Sequence, residues 1–276
     1  MKNTDKLKEK ARELRNLTLD MCVRAGTGHL TSSFSCAEIL TALYYGNVLR
    51  HNPSNPKWEE RDRFVLSKGQ ASPILYATLA DLGFFPKEWL DSFNQKDGRF
   101  AVHLQNDIPG VEISSGSLGH GLGIGAGMAL AAKMDKKDYF TFVLLGDGEC
   151  YEGSIWESAM FAGHNNLNNL ITIIDRNGLC VTDFTENLVR LEPLDEKWRA
   201  FGWYVRRVNG HSIDELLDAL KDFRTRKRSS PYLIIADTIK GKGAPYIEGQ
   251  ISWHGLAPQG QDADIVKKEI NDPNNY

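Results

Sequence analysis

The chain has 276 residues, 41% of them apolar and 25% charged, a balance that suits one large globular domain with ample core. A formal net charge of -3 and a pI near 6.2 give no bulk electrostatic reason to bind nucleic acid or an anionic membrane. No stretch approaches the roughly 18 apolar residues of a membrane span, the charged N-terminus lacks an apolar signal core, and the scattered Cys22, Cys36, Cys150 and Cys180 form no C-x-x-C pair, so a cytoplasmic protein with reduced thiols is expected rather than a zinc or redox-dithiol site.

In chain order, Leu7, Ala11, Leu14, Leu17, Met21 and Cys22 recur near the helical period and predict an amphipathic helix that stops at Gly26 and Gly28. A second helix is expected over residues 35–49, bounded by HNPSNP. β-rich runs then alternate with helical ones: RFVLS, the helix SPILYATLADLG, YFTFVLL, a helix after Gly153, LITIID, WYVRRV, the helix SIDELLDALKDF and PYLIIADT. The basic run at 224–228 reads as a solvated helix end, and the tail NDPNNY as frayed. Strand runs without polar alternation imply burial on both faces. Their alternation with helices therefore predicts a doubly wound α/β fold, a mostly parallel sheet with helices on both faces, as a single domain over residues 1–276.

In such a sheet, ligands gather at the carboxyl ends of the strands. Four strand exits combine glycine with polar or charged groups: Ser67-Lys68-Gly69-Gln70, Gly146-Asp147-Gly148, Asp175-Arg176-Asn177-Gly178, and Thr238-Ile239-Lys240-Gly241-Lys242-Gly243. Together they suggest a phosphate-rich ligand held by backbone amides and a few side chains. Asp147 and Asn177 each carry two readings. Either they share a hard cation such as Mg2+, completed by a carbonyl such as that of Leu179 and by phosphate oxygens, or Asp147 caps a helix and Asn177 makes an Asn-Gly turn. Glu149 reads as a first-turn residue favoured by the helix dipole. His51, His164 and His211 read as structural or exposed.

GDGECYEG followed at this distance by DRNG resembles the thiamine diphosphate signature. GTGHLTSSFSCAEIL, DRFVLSKGQASPILYA, GVEISSGSLGHGLGIGAGMALAAK, LEPLDEKWRAFGW, and DTIKGKG through WHGLAP are similar to transketolases, in order, over almost the whole length. The match is to the N-terminal, diphosphate-binding domain. It implies the N-terminal subunit of a split transketolase, with the pyrimidine-binding and C-terminal domains on a partner chain and a two-plus-two assembly.

The same resemblance implies roles for particular residues. Asp147, Asn177 and the Leu179 carbonyl would hold Mg2+, with Ca2+ or Mn2+ as alternatives. Ser32, Gln70, Gly116, Ser117, Leu118, Gly148, Asn177, Lys240 and His254 would line the cofactor pocket. His29, His103 and His254 would face the thiazolium and the donor sugar phosphate. Glu152, with Glu157, would join a network at the interface, whereas the glutamate that reaches the aminopyrimidine would come from the partner. The reaction implied is transfer of a two-carbon ketol unit from a ketose phosphate to an aldose. Alternatives are another thiamine diphosphate enzyme, of the deoxyxylulose-phosphate synthase or 2-oxoacid dehydrogenase kind, a transketolase specialised for an unusual ketose, or a non-catalytic subunit; no strand leads into the G-x-G-x-x-G of a nicotinamide dehydrogenase.

The chain departs from the family pattern at Gln70, where KGH is usual, at His120, where SLGQG is usual, and at Leu30, where GHP is usual. Glutamine can donate and accept hydrogen bonds but cannot titrate. His120 either points inward to compensate or is a surface exchange. Both changes loosen the link to ordinary pentose phosphate substrates.

Overall fold

The structure is a computed structural model describing residues 3–225 and 229–275. The first helix, α1 (Asn3–Ala25), ends as its sequence predicts: Gly26 takes φ 67°, and the Thr27 N–H reaches back to the Cys22 carbonyl at 3.3 Å. The expected helix over 35–49 is α3 (Ala37–Tyr45), shorter at both ends, and a separate, unforeseen α2 (Leu30–Phe34) precedes it. The break has a local cause. The Ser35 hydroxyl bonds the Ser32 carbonyl and the Asp175 carboxylate, and the Arg15 guanidinium takes the Phe34 carbonyl at 2.9 Å. Side chains thus compete for the groups a continuous helix would use. Leu30, the departure from GHP, opens α2 and is fully buried.

Among the described residues five strands follow: β1 (Arg63–Leu66), β2 (Thr141–Gly146), β3 (Leu170–Arg176), β4 (Tyr204–Asn209) and β5 (Tyr232–Asp237). They form one sheet in the order β1-β2-β3-β5-β4, every pair parallel, as the α/β pattern predicts. All residues of β2 and β3 are buried, whereas the edge strand β4 is buried only at Val205 and Val208, which join the cores on opposite faces. Alternate strand residues feed two cores. Phe64, Leu66, Phe142, Ile171 and Ile234 pack toward α1, α3, α4 (Ser72–Asp81) and α9 (Ile213–Thr225). Val65, Val143, Leu145, Ile174 and Leu233 pack toward α5 (Gly121–Met134), α6 (Gly153–His164) and α8 (Leu194–Ala200).

Periodicity does not reveal α5, whose four glycines each disfavour helix by roughly 1 kcal/mol relative to alanine. Tertiary packing overrides that cost. The helix lies so close to the sheet that a Cβ at Gly125 would stand 2.4 Å from a Val143 methyl, and one at Gly121 would meet the Ser67 side chain. The short α7 (Thr185–Leu188), α8 and the last helix, α10 (Gln261–Ile270), are likewise not foreseen from periodicity.

The basic run is not a solvated end at Arg224, which bonds the Val48 carbonyl and the buried Asp62 carboxylate and lies 4.8 Å over the Phe140 ring. The remainder of that run, 226–228, lies outside the described residues. In the tail, Pro273–Asn275 make a 3-10 turn, with the Asn275 amide on the Glu269 carbonyl. Among the described residues no helix is long and apolar enough to cross a membrane.

Candidate functional site

Because all strands are parallel, their carboxyl ends lie on one sheet edge. The exits of β1, β2, β3 and β5, neighbours in the sheet, thereby meet around one pocket that His29 and Ser32 close from the α2 side. Lys68, Gln70, His103, Gly116, Leu118, Gly148, Asn177, Leu179, Lys240 and His254 complete the wall.

Asp147 leaves β2 at 1% exposure. Its Oδ1 accepts the Gly148 N–H at 2.8 Å, and its Oδ2 accepts the Gly178 N–H at 2.6 Å and the Arg176 guanidinium at 2.9 Å. Burial pushes its pKa up and the nearby Asp175 adds to this, while Gly178 and Arg176 oppose it. The capping reading of Asp147 is realised at the 3-10 turn Gly148–Tyr151, and the residue also lines the pocket. Asn177 sits before Gly178 (φ 76°), its Oδ1 receiving the Leu179 N–H at 3.2 Å.

Beneath the pocket, the fully buried Lys68 ammonium contacts the Asp175 carboxylate and donates to the Ser32 carbonyl at 2.9 Å. Burial opposes both charges. Mutual contact outweighs it, holding the lysine above and the aspartate below their ordinary ranges. The Asp175 carboxylate also accepts from Ser35 and Thr238, which fixes α2 and the β5 exit against β3.

Glu149 is not an ordinary first-turn residue. It is 2% exposed and accepts from the Ser67 hydroxyl, from Gly119 N–H at 2.8 Å and from Gly146 N–H at 3.2 Å. One carboxylate thus ties together the β1 exit, the β2 exit and the turn that carries Gly116 and Leu118. Sequence reasoning missed it because its donors lie up to 82 positions away. Gly116 itself, at φ 150°, leaves room for His103, whose ring would be 3.0 Å from a Cβ there.

Three imidazoles cluster as expected. The ring centroids of His29 and His254 are 5.2 Å apart, and those of His29 and His103 6.1 Å. Burial and neighbouring positive groups bring the pKa of His29 and of His254 down to about 4, so both rings are neutral near pH 7. The Lys240 ammonium donates to His254 Nδ1 at 2.8 Å, which leaves the His254 proton on Nε2.

Lys240, 3% exposed, is itself pushed down to about 8, by burial first and then by Lys68. An anion bound beside it favours the charged amine. Below pH 8 the free protein already carries that proton. Above it the proton must be taken from solution, so affinity for pyrophosphate with Mg2+ should fall by up to about tenfold per pH unit. Calorimetry around pH 8, in buffers of different ionisation enthalpy, should detect proton uptake that Lys240→Met abolishes; a flat profile would contradict the assignment.

Some predicted residues are not brought into the pocket. Ser117 is exposed on its turn and Glu152 is the exposed N-cap of α6; Glu157, expected at an interface rather than in the pocket, is exposed on that helix. His120 is exposed at the start of α5, so the compensating alternative is corrected to a surface exchange. His51 bonds the Leu49 carbonyl at 2.9 Å and stacks on Phe84, and His164 is exposed. The cysteines are free, and all but Cys180 are buried.

The donor set suits a pyrophosphate-bearing group with a hard divalent ion. Among the described residues, no three His, Cys, Asp or Glu side chains gather into a metal cage. Asp147, Asn177 and Leu179 instead line one pocket, and a carboxylate, an amide oxygen and a carbonyl are donor types that suit a hard divalent ion. Three buried polar atoms in this region, His29 Nδ1, Gln70 Oε1 and Ser115 Oγ, have no hydrogen-bond partner within the protein, as befits a pocket whose ligand supplies partners.

Comparison with known proteins agrees with this geometry. Residues 7–274 match the family model described as "Transketolase, thiamine diphosphate binding domain". The chain is 42% identical over 260 residues to an apulose-4-phosphate transketolase subunit of Phocaeicola vulgatus, covering 94% of this chain and 91% of that one. It is also 42% identical over 251 residues to the 6-deoxy-6-sulfo-D-fructose transketolase subunit SqwG of a Clostridium species, covering 91% and 90%. The crystal structure of Campylobacter jejuni transketolase superposes with a TM-score of 0.89 at 35% identity, covering 96% of this chain but 42% of that longer one.

Proposed function

Because the chain belongs to the transketolase family, in its thiamine diphosphate-binding domain, we propose that it is the diphosphate-binding subunit of a two-chain transketolase specialised for an unusual ketose. The observation that carries the reading is the convergence of Asp147, Asn177, Leu179 and Lys240 at adjacent strand exits. Asp147, Asn177 and the Leu179 carbonyl would hold Mg2+, a role Ca2+ or Mn2+ could also fill, beside the diphosphate. Lys240 supplies positive charge, and the glycines flanking Asp147 let the ligand approach the backbone. Bound thiamine diphosphate supplies carbanion stabilisation for the two-carbon ketol transfer. The neutral rings of His29 and His254, with His103, orient the donor hydroxyls and exchange protons with them. His254 presents Nε2–H because Lys240 occupies Nδ1.

The C-terminal transketolase subunit, with its pyrimidine-binding domain, supplies the rest of the site in a two-plus-two assembly. Support comes from relatives named as subunits that match over about nine-tenths of their own length. Their names also favour a specialised ketose over an ordinary pentose phosphate, as does Gln70, a neutral amide at a pocket position where the family pattern has histidine. The assembled enzyme should therefore turn over apulose 4-phosphate or 6-deoxy-6-sulfo-D-fructose, the sugars named for its relatives, with kcat/KM at least about tenfold above that for xylulose 5-phosphate. Preference for xylulose 5-phosphate would return the chain to ordinary transketolase.

A further inference from the structure

A buried network outside the pocket ends on the loop that carries Lys240. Arg15 of α1, fully buried, makes a two-point contact with Glu38 of α3 at 2.6 and 2.8 Å, and the same guanidinium takes the Phe34 carbonyl at the end of α2. Burial alone would raise the Glu38 pKa, but Arg15 and His211 bring it down to about 2, so it is a carboxylate. Glu38 Oε2 lies 2.9 Å from His211 Nδ1, and the Ile239 N–H donates to His211 Nε2 at 2.8 Å. A backbone amide can only donate and a carboxylate can only accept. His211 must therefore carry its proton on Nδ1 and offer the Nε2 lone pair to Ile239.

Ile239 immediately precedes Lys240, and Gly241 N–H donates to the Thr31 carbonyl of α2 at 3.0 Å. The loop is thus pinned on both sides of Lys240. One pin is the contact to α2, and the other runs through His211 to Glu38 and Arg15, which also holds the end of α2. We propose that His211 is a positioning residue for the cofactor pocket: it transmits the placement of the buried Arg15–Glu38 pair to the 239–241 backbone and so fixes Lys240 against His254 and opposite Ser32. The imidazole spans a carboxylate and an amide that no shorter polar side chain at 211 would bridge. It touches no ligand and acts only through the loop.

The proposal deepens the reading of the pocket as a diphosphate cradle, and its test has arms that do not depend on that reading. In the full-length assembled enzyme, His211→Phe should accelerate hydrogen exchange at the 239–241 amides by at least about tenfold, leaving the interior of β5 unchanged. Its affinity for thiamine diphosphate with Mg2+ should fall about tenfold. His211→Gln, which again offers one donor and one acceptor, should restore most of both. Nitrogen-15 shifts of the wild-type ring should report the Nδ1–H tautomer, a readout available even if His211→Phe fails to fold. Unchanged exchange at 239–241 in His211→Phe, or an Nε2–H tautomer in the wild type, overturns the proposal. Faster exchange with the expected tautomer, in a protein that binds no thiamine diphosphate, would uphold the positioning role and reject the function proposed above.

Discussion

The purified chain, supplied with thiamine diphosphate, Mg2+ and a ketose phosphate, is expected to give no measurable turnover, and to gain activity when a chain carrying the pyrimidine-binding domain is added. The reason lies in the carboxylates. Those lining the pocket are Asp147 and Glu149, and both are committed, the first to Arg176 and two backbone N–H groups, the second to Ser67, Gly119 and Gly146. Neither is free to act as a general base toward the far end of a bound cofactor. Glu152 and Glu157 are exposed on α6, whose Met160 and Phe161 are also exposed, as is Ile124 on α5. Such a mixed surface suits an interface with another chain. Steady turnover by the chain alone, with mass spectrometry excluding a co-purified partner, would refute the two-chain proposal.

Replacing Asp147 with asparagine in the assembled enzyme should lower Mg2+-dependent affinity for thiamine diphosphate by about a thousandfold or more, roughly 4 kcal/mol. Asparagine keeps the volume and one acceptor oxygen, so the loss reports the charge rather than a cavity. The fold should survive, because Arg176 keeps Glu186 at 2.8 Å and Glu192 at 3.3 Å. Asp147→Ala should lose at least as much. Calorimetry with and without Mg2+ separates the outcomes: unchanged affinity, or equal loss in both conditions, would show that Asp147 does not hold the ion.

What was legible in the sequence follows from local physics. Runs such as LITIID are apolar without alternation because they become β3, buried on both faces, whereas β4, with most of its residues not buried, lies at the sheet edge. The glycine-flanked Asp147 and the Asn177-Gly178 pair stood out because a strand exit that admits a ligand needs small residues and oxygen donors together. Helix α5 stayed hidden because glycine carries no local helix signal. The break between α2 and α3 stayed hidden because its causes, Arg15 and Asp175, lie on other elements.

The residues of this chain by themselves determined an α/β alternation, the strand exits that carry chemistry and the kind of ligand those exits would take. Only the tertiary structure decided which partners Glu149 and His211 hold, that His120 faces outward, and that Lys240 sets the tautomer of His254. The reason is that the first set depends on backbone preference and side-chain period, which act over a few positions. The second depends on which donors a buried carboxylate or imidazole meets, and those donors come from segments distant in the chain, brought together only when the sheet closes.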